Sequence, residues 1–403
     1  MKILLSAFAC EPKKGSEFAV GWSWALALVK GGHDVVVLTR AQSRPAIEAA
    51  LALMGDKPRF AYFDVPKALR WQRRGPLHAH AVLWQRWALN FARKLHSTEN
   101  FDCVHHVTYA GMRAPSFMGM LGIPFIFGPV GGGERAPWRL RRGYSLSGIV
   151  LEAARDAANL MIRLSPLMRD TFERADRIYV TSPETLGVLA PRYRAKACVE
   201  LAIATDDVED APGPLAAACT PDEGGFRVLY AGRFVDFKGM HLGLRAFALL
   251  TQKRPTARLT MVGGGPAGGH WRRLARKLRL DERIEWLPWQ RSDAMGSIYA
   301  SHHVLLFPSL HDSGGLVALE AMRHGLPVVC LKLGGPGTLV DDSCGRLIDP
   351  TAKSTTEVTG ELGEALVDLS QDTIRRPLAE AARSRGRAFS WRQKVEKVYG
   401  ASP

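Results

Sequence analysis

Two stretches of this 403-residue chain combine charged side chains with glycines in an order that suits a phosphorylated, hydroxyl-rich ligand. One is His311-Asp312-Ser313-Gly314-Gly315-Leu316-Val317-Ala318-Leu319-Glu320, which follows the apolar run 304–307 and Pro308-Ser309. Gly314 and Gly315, at a loop–helix junction, let backbone N–H groups approach a ligand closely, and a helix N-terminus favours anionic phosphate. Asp312 and Glu320 can each accept hydrogen bonds from hydroxyls, one from the loop and one from further along the helix. The plain alternative is an ordinary strand–turn–helix capped by Asp312 or Ser313. The other stretch runs from Leu229 through Gly232-Arg233 to Lys238-Gly239-Met240, ahead of a helical pattern formed by Leu242, Leu244, Ala246, Phe247, Leu249 and Leu250. Arginine offers a planar fork and lysine a point charge, which together suit two oxygens of one diphosphate; two solvated surface cations are the bland reading. Both loops follow strands, and the carboxyl edge of an open parallel sheet is where ligands bind.

Two further places carry possible chemistry. Phe101-Asp102-Cys103-Val104-His105-His106-Val107 reads as a strand that delivers histidines to its carboxyl end, with His105 and His106 both open candidates beside a purely structural role. Gly131-Gly132-Gly133-Glu134 ends another strand, so that Glu134 binds an acceptor hydroxyl or the glycines merely make a demanding turn. His302-His303 read as structural, and no Cys/His cluster has metal-ligand spacing.

These residues need elements to position them. Apolar runs at 3–8, 35–38, 103–107, 125–127 and 177–180 alternate with helical patterns such as 20–29 and 151–174. The scheme repeats at 227–230, 257–262, 284–286, 304–307 and 327–330, which predicts two doubly wound α/β units. The Asp-, Ala-, Pro- and Gly-rich region 206–225 is the expected linker. Hydrophobic residues at 46% and charged residues at 23% describe a globular protein of more than one core. Six scattered cysteines without a C-x-x-C pair point to reduced thiols and the cytoplasm. The N-terminal apolar stretch is cut off by Glu11-Pro12-Lys13-Lys14 and reads as a first strand rather than a leader, and no run is long enough to span a membrane.

The set Gly232-Arg233, Lys238-Gly239, Phe307-Pro308-Ser309 and Asp312-x7-Glu320 resembles the retaining glycosyltransferases of family 4. The resemblance extends over nearly the whole chain, from Lys2-Ile3-Leu4-Leu5 through Gly15-Ser16-Glu17 and Gly31-Gly32-His33 to Phe389-Ser390-Trp391. Cys10-Glu11-Pro12, Gly21-Trp22-Ser23-Trp24 and Gly128-Pro129-Val130-Gly131-Gly132-Gly133-Glu134 are similar to a bacterial polysaccharide-assembly subgroup. The resemblance implies a GT-B fold of two Rossmann-like domains facing across a cleft. Residues 1–205 would bind the acceptor, 206–385 the nucleotide sugar, and 386–403 would form a helix returning to the first domain. It implies donor contacts from Gly15, Ser16, Gly232, Arg233, Lys238, Gly263, Gly264, Asp312, Ser313, Gly314, Gly315, Leu316 and Glu320. Glu17 and Glu134 would face the acceptor, and His105 or His106 would lie near the donor sugar. Three departures stand out: Asp312 replaces the first glutamate of the paired acids, Gly334-Gly335-Pro336-Gly337-Thr338 lacks the usual second acid, and Gly15-Ser16 replaces Gly-Gly.

The expected reaction is hexosyl transfer from a nucleoside-diphosphate sugar to a glycan or lipid-linked glycan, with retention and without metal or other cofactor. Arg233, Lys238 and the amides near Gly314 would neutralise the departing diphosphate. A nucleotide-sugar epimerase of the same fold is an alternative. The net charge of +15 raises nucleic-acid binding as another, but no RRM, KH, zinc-finger or helix-turn-helix pattern supports it. From Val65 to Thr98 there is no acidic residue, while seven cations are interleaved with Trp71, Trp84, Trp87 and Phe91. Trp84, Trp87, Phe91 and Leu95 fall on one helix face, either packed into the core or docked on an anionic membrane at the inner face of the cell. A second basic set, Arg135, Arg139, Arg141 and Arg142 with Trp138, would extend such a patch.

Overall fold

The computed structural model describes residues 1–12, 14–15, 17–65, 77–162, 165–205 and 225–400. The chain forms two compact units, one of Met1–Gly133, Ala157–Ile203 and Trp391–Pro403, the other of Glu134–Asp156 and Ala204–Ser390. The sequence divides the chain after 205 and after 385. The packing instead moves residues 134–156 into the second unit and starts the return to the first at Trp391. The expected linker, apart from Gly225, lies outside the described residues.

In the first unit the strands are β1 (Lys2–Ser6), β2 (Asp34–Arg40), β3 (Arg59–Phe63), β4 (Cys103–His106), β5 (Phe125–Val130), β6 (Arg177–Val180) and β7 (Ala197–Val199). They form a seven-stranded parallel sheet in the order β3-β2-β1-β4-β5-β6-β7. Leu4 of β1 sits between Val36 and Val104, and all three are buried. Strands covered on both faces read as continuous apolar runs, which is why the central ones are visible in the sequence.

Helix Leu77–Glu99 lies against this sheet: Trp84, Ala88 and Ala92 join Leu4, Val104 and Phe125 in one core cluster, and Phe91 and Leu95 pack at its margin. The Trp84 indole donates to the Phe63 carbonyl at 2.8 Å. The aromatic stripe therefore faces the core, and of its members Trp87 alone is exposed. The basic residues of 66–76 and Trp71 lie outside the described residues.

The closing helix, Trp391–Tyr399, fastens to the first unit by packing and by charge. Trp391 meets Trp24 edge-on at 5.4 Å, and the buried Lys394 ammonium binds the Glu200 carboxylate and the Leu201 carbonyl. Lys397 reaches the same carboxylate at 2.6 Å.

The second unit repeats the architecture with β8 (Arg227–Ala231), β9 (Arg258–Val262), β10 (Ile284–Leu287), β11 (Val304–Phe307), β12 (Val328–Leu331) and β13 (Gly345–Ile348). All are parallel, in the order β10-β9-β8-β11-β12-β13. Leu305 of β11 lies between Leu229 and Val328, so the loops after β8 and β11 leave the sheet side by side.

Three strands escape the sequence pattern: β3, β7 and β13. Each is at a sheet edge, where partly exposed residues interrupt the apolar run. The single helix expected over 151–174 is two, Leu146–Ile162 and Pro166–Arg174. Pro166 lacks the N–H an interior turn needs, and Ser165 caps the new start by accepting from the Met168 amide at 3.4 Å.

Candidate functional site

The loops that follow β8, β9, β11 and β12 meet because their glycines allow backbone to touch backbone. Gly239, at φ +71°, ends the loop after β8, and a Cβ there would overlap the Pro308 carbonyl oxygen after β11. The Leu310 amide donates to the Phe237 carbonyl at 2.8 Å across the same seam. Gly263, at φ +135°, likewise leaves no room for a side chain against the Gly232 carbonyl, and the Phe234 amide donates to the Gly264 carbonyl at 2.8 Å. Gly334 and Gly335 pack beneath the third loop, where the Gly335 amide donates to the Asp312 carbonyl at 2.7 Å. The departure at Gly334-Gly335 thus has a packing role.

This arrangement brings Lys238 and Asp312 together in an ion pair, each side chain mostly enclosed. Burial opposes ionisation of Asp312, but the Lys238 ammonium outweighs it with help from the Gly314 amide, which donates at 3.2 Å; the carboxyl is held below its ordinary value. Lys238 also lies 4.7 Å from the centre of the Phe307 ring. Arg233 is exposed on the same loop, its backbone carbonyl accepting from the Tyr230 hydroxyl at 3.0 Å. Gly315, in the left-handed region at φ +78°, caps helix Leu316–Arg323, whose first amides have no partner within the helix. A lysine, a carboxylate and a helix N-terminus of the kind that takes anions therefore converge, with Arg233 on the same loop as the lysine.

Glu320 follows on the same helix, and the Tyr299 hydroxyl donates to its carboxylate at 2.7 Å. Burial pushes its pKa up, against the pull of that hydrogen bond. Gly264 is exposed, with open space where a side chain would stand. Among the described residues no three His, Cys, Asp or Glu side chains gather as metal ligands.

Residues 134–156 brace these loops, a role the sequence pattern does not reveal. Glu134 is buried; its carboxylate accepts from the Ser313 hydroxyl at 3.0 Å and lies 3.9 Å from the Arg155 guanidinium. Glu152 accepts from His311 at 2.9 Å, and the His311 ring stacks on Phe237 at 4.2 Å, tying the loop after β11 to the loop after β8. Burial lowers the His311 pKa despite Glu152, so the pair is a neutral imidazole donating to a carboxylate. The Ser145 amide and hydroxyl donate to the Asp236 carboxylate at 3.0 and 2.7 Å. His241 meets the Leu140 carbonyl at 2.8 Å. Glu134, expected to face an acceptor, thus contacts the Ser313 loop.

In the first unit, Gly15 is exposed, Ser16 lies outside the described residues, and Glu17 opens helix Glu17–Lys30. The Glu17 carboxylate accepts from the Tyr109 amide at 3.0 Å, and burial pushes its pKa up. His105 and His106 are enclosed, with both ring nitrogens of each engaged. His105 lies between the Tyr399 hydroxyl at 2.6 Å and the Gly128 carbonyl at 2.8 Å. His106 lies between the Ser116 hydroxyl at 2.9 Å and the Thr108 carbonyl at 3.0 Å. Burial lowers their pKa values to about 3 and about 4, so both are neutral at physiological pH. Each ring nitrogen of both histidines thus has a hydrogen-bond partner within the first unit.

Residues 225–372 match the family described as glycosyl transferases group 1. A D-inositol 3-phosphate glycosyltransferase of Saccharomonospora viridis is 30% identical over 261 residues, 62% of this chain and 55% of that protein. The chain thus spans about half the length of the curated relatives it matches first. Among solved structures, a sucrose-phosphate synthase from Thermosynechococcus elongatus superposes over 100% of both chains, with a TM-score of 0.63 at 19% identity. The Anabaena protein Alr3699/HepE, solved in complex with UDP and glucose, does so with a TM-score of 0.59 at 17% identity, again over 100% of both.

Proposed function

We propose that this chain, whose residues 225–372 match the group 1 glycosyl transferases and whose two Rossmann-like units share the GT-B fold of its structural neighbours, transfers a hexosyl group from a nucleoside-diphosphate sugar. The observation that carries this reading is the Lys238–Asp312 pair beside the Gly315-capped helix, with Glu320 further along that helix. A cation, a helix N-terminus and two carboxylates meet the needs of diphosphate, ribose and sugar in one place. The UDP held by the Anabaena neighbour agrees in chemical class.

In the proposed reaction the bond from the anomeric carbon to the diphosphate oxygen breaks as charge builds on the leaving group. Lys238, Arg233 and the amides at Leu316 and Val317 stabilise that charge, which is the kind of preorganised electrostatics that lowers barriers most. These two cations supply this without a metal ion or other cofactor. The acceptor hydroxyl attacks from the face the diphosphate leaves, its proton passes to a diphosphate oxygen, and configuration is retained. Asp312 orients the sugar through its hydroxyls while Lys238 turns toward phosphate, and Glu320 holds the ribose. Gly232, Gly263 and Gly264 border the nucleotide, and Ser313, Gly314 and Gly315 the sugar phosphate. The first unit takes the acceptor, with Glu17 at its sheet edge. A glycan or lipid-linked glycan of cell-surface polysaccharide synthesis, made in the cytoplasm, is the acceptor class we propose. Nucleic acid is not among the partners.

The test is transfer itself. Purified protein incubated with UDP-, GDP- and ADP-hexoses should release nucleoside diphosphate only when an acceptor is supplied, with the anomeric configuration kept in the product. Interconversion of the free nucleotide sugar with no transfer would favour the epimerase alternative.

A further inference from the structure

Among the described residues, no helix is long and apolar enough to cross a membrane, yet one carries an outward face of apolar side chains. In helix Leu146–Ile162 and the turn before it, Trp138 is 72% exposed, Leu146 84%, Val150 69%, Leu151 68% and Ile149 45%. Leu146, Ile149 and Val150 lie three and four residues apart, and exposed Ala153 and Ala154 continue the same side one turn on. The helix is held by its other side: Glu152 on His311 and Arg155 on the Glu134 carbonyl at 3.1 Å. Polar contacts thus fix an orientation that leaves the apolar residues outward. Large apolar side chains exposed together on one helix face mark a surface that something covers.

Charge selects what covers it. From Arg135 to Leu151 the chain holds four arginines and no acidic residue. Arg141 and Arg135 share one carboxylate, Asp156, at 2.7 and 3.2 Å. Arg139 donates to the Ala352 carbonyl at 3.0 Å with the Glu357 carboxylate in its field, and Arg142 is exposed. A second copy of the chain docking through this face about a two-fold axis would set arginines against arginines. An anionic lipid surface complements both features, with tryptophan at headgroup level, leucine and valine among the upper acyl carbons and guanidinium on phosphate.

We infer that the face from Trp138 to Ala154 docks the second unit on an anionic membrane, with the helix lying in the interface plane. The inference deepens the transferase reading, from which it takes only the lipid-linked acceptor. It moves the docking surface from the Trp84–Leu95 stripe, which the core claims, to a helix that the aromatic pattern of the sequence does not mark.

The experiment is co-sedimentation of the full chain with phosphatidylcholine vesicles, with and without phosphatidylglycerol. Wild type should pellet with the anionic vesicles and be released by salt. Leu146→Glu with Val150→Glu should weaken binding on the order of tenfold, and Arg139→Glu with Arg142→Glu should do the same, while the melting temperature and its rise with UDP stay unchanged. Undiminished binding by either pair, or no wild-type pelleting at low salt, would overturn the inference. So would a wild-type dimer that Leu146→Glu with Val150→Glu dissociates while no vesicle binds, because the face would then be a self-interface. Vesicle binding without any response to a nucleoside diphosphate would leave the docking face standing and remove the transferase reading instead.

Discussion

The carboxyl edges of the two sheets both carry titratable side chains but use them differently. At the first edge, His105 and His106 turn inward and spend both ring nitrogens on hydroxyls and carbonyls of their own unit. At the second, Lys238 and Asp312 neutralise one another next to a helix N-terminus and an exposed Arg233. The first arrangement is complete without a ligand. The second is an ion pair that, in the reaction we propose, a phosphate enters by taking over the lysine, freeing the aspartate for a sugar hydroxyl. Titratable residues at a ligand-binding sheet edge are therefore not equivalent, and their partners distinguish scaffold from chemistry.

Breaking the second edge should have the largest effect. Lys238→Ala is expected to lower turnover on the order of 10²–10³, the range for loss of one preorganised donor to a leaving group. It should also lower the melting temperature, because Asp312 is left enclosed without its cation, and Lys238→Ala with Asp312→Ala should recover part of that stability. Arg233→Ala should cost turnover on a similar scale with no loss of stability, since its side chain is exposed. Steady-state rates and thermal melts on the same preparations separate the two.

The first edge should answer to acid rather than to catalysis. Burial lowers the folded-state pKa of His105 from 6.5 to about 3, so the unfolded chain takes up the proton first as pH falls. Its contribution to stability is full above 6.5 and is lost progressively toward 3. His105→Gln should flatten that part of the melting-temperature profile while keeping turnover per folded molecule at neutral pH. A loss of turnover as large as that of Lys238→Ala, in folded protein, would erase the distinction between the edges.

The smallest effect should come from Glu320→Gln. A neutral amide still accepts a ribose hydroxyl, so nucleotide affinity should fall only severalfold, on the order of one hydrogen bond's net contribution. Titration calorimetry with the nucleoside diphosphate measures it.

How much of this could be read beforehand follows from how local each feature is. Central strands and the two glycine-bearing loops were legible because buried parallel strands and loop–helix junctions write themselves into neighbouring residues. The edge strands β3, β7 and β13 were not, since half-exposed strands break the apolar run. The Lys238–Asp312 pair was hidden for a different reason: it depends on Gly239 touching Pro308 across sequence-distant loops. Nor does any local pattern say that Glu134, Ser145 and Glu152 leave the first unit to brace the second. The stripe of Trp84, Phe91 and Leu95 shows the converse failure, since its periodicity fits a core face and a membrane face equally well.

The most direct measurement is the melting temperature of wild type, Lys238→Ala and His105→Gln against a panel of UDP, GDP and ADP and their hexose conjugates. A ligand that binds only the folded state raises the melting temperature by mass action. One base series should stabilise wild type and His105→Gln alike, and Lys238→Ala much less. Equal stabilisation of all three proteins, or none by any nucleotide in the panel, would contradict the assignment of the diphosphate to the loops after β8 and β11.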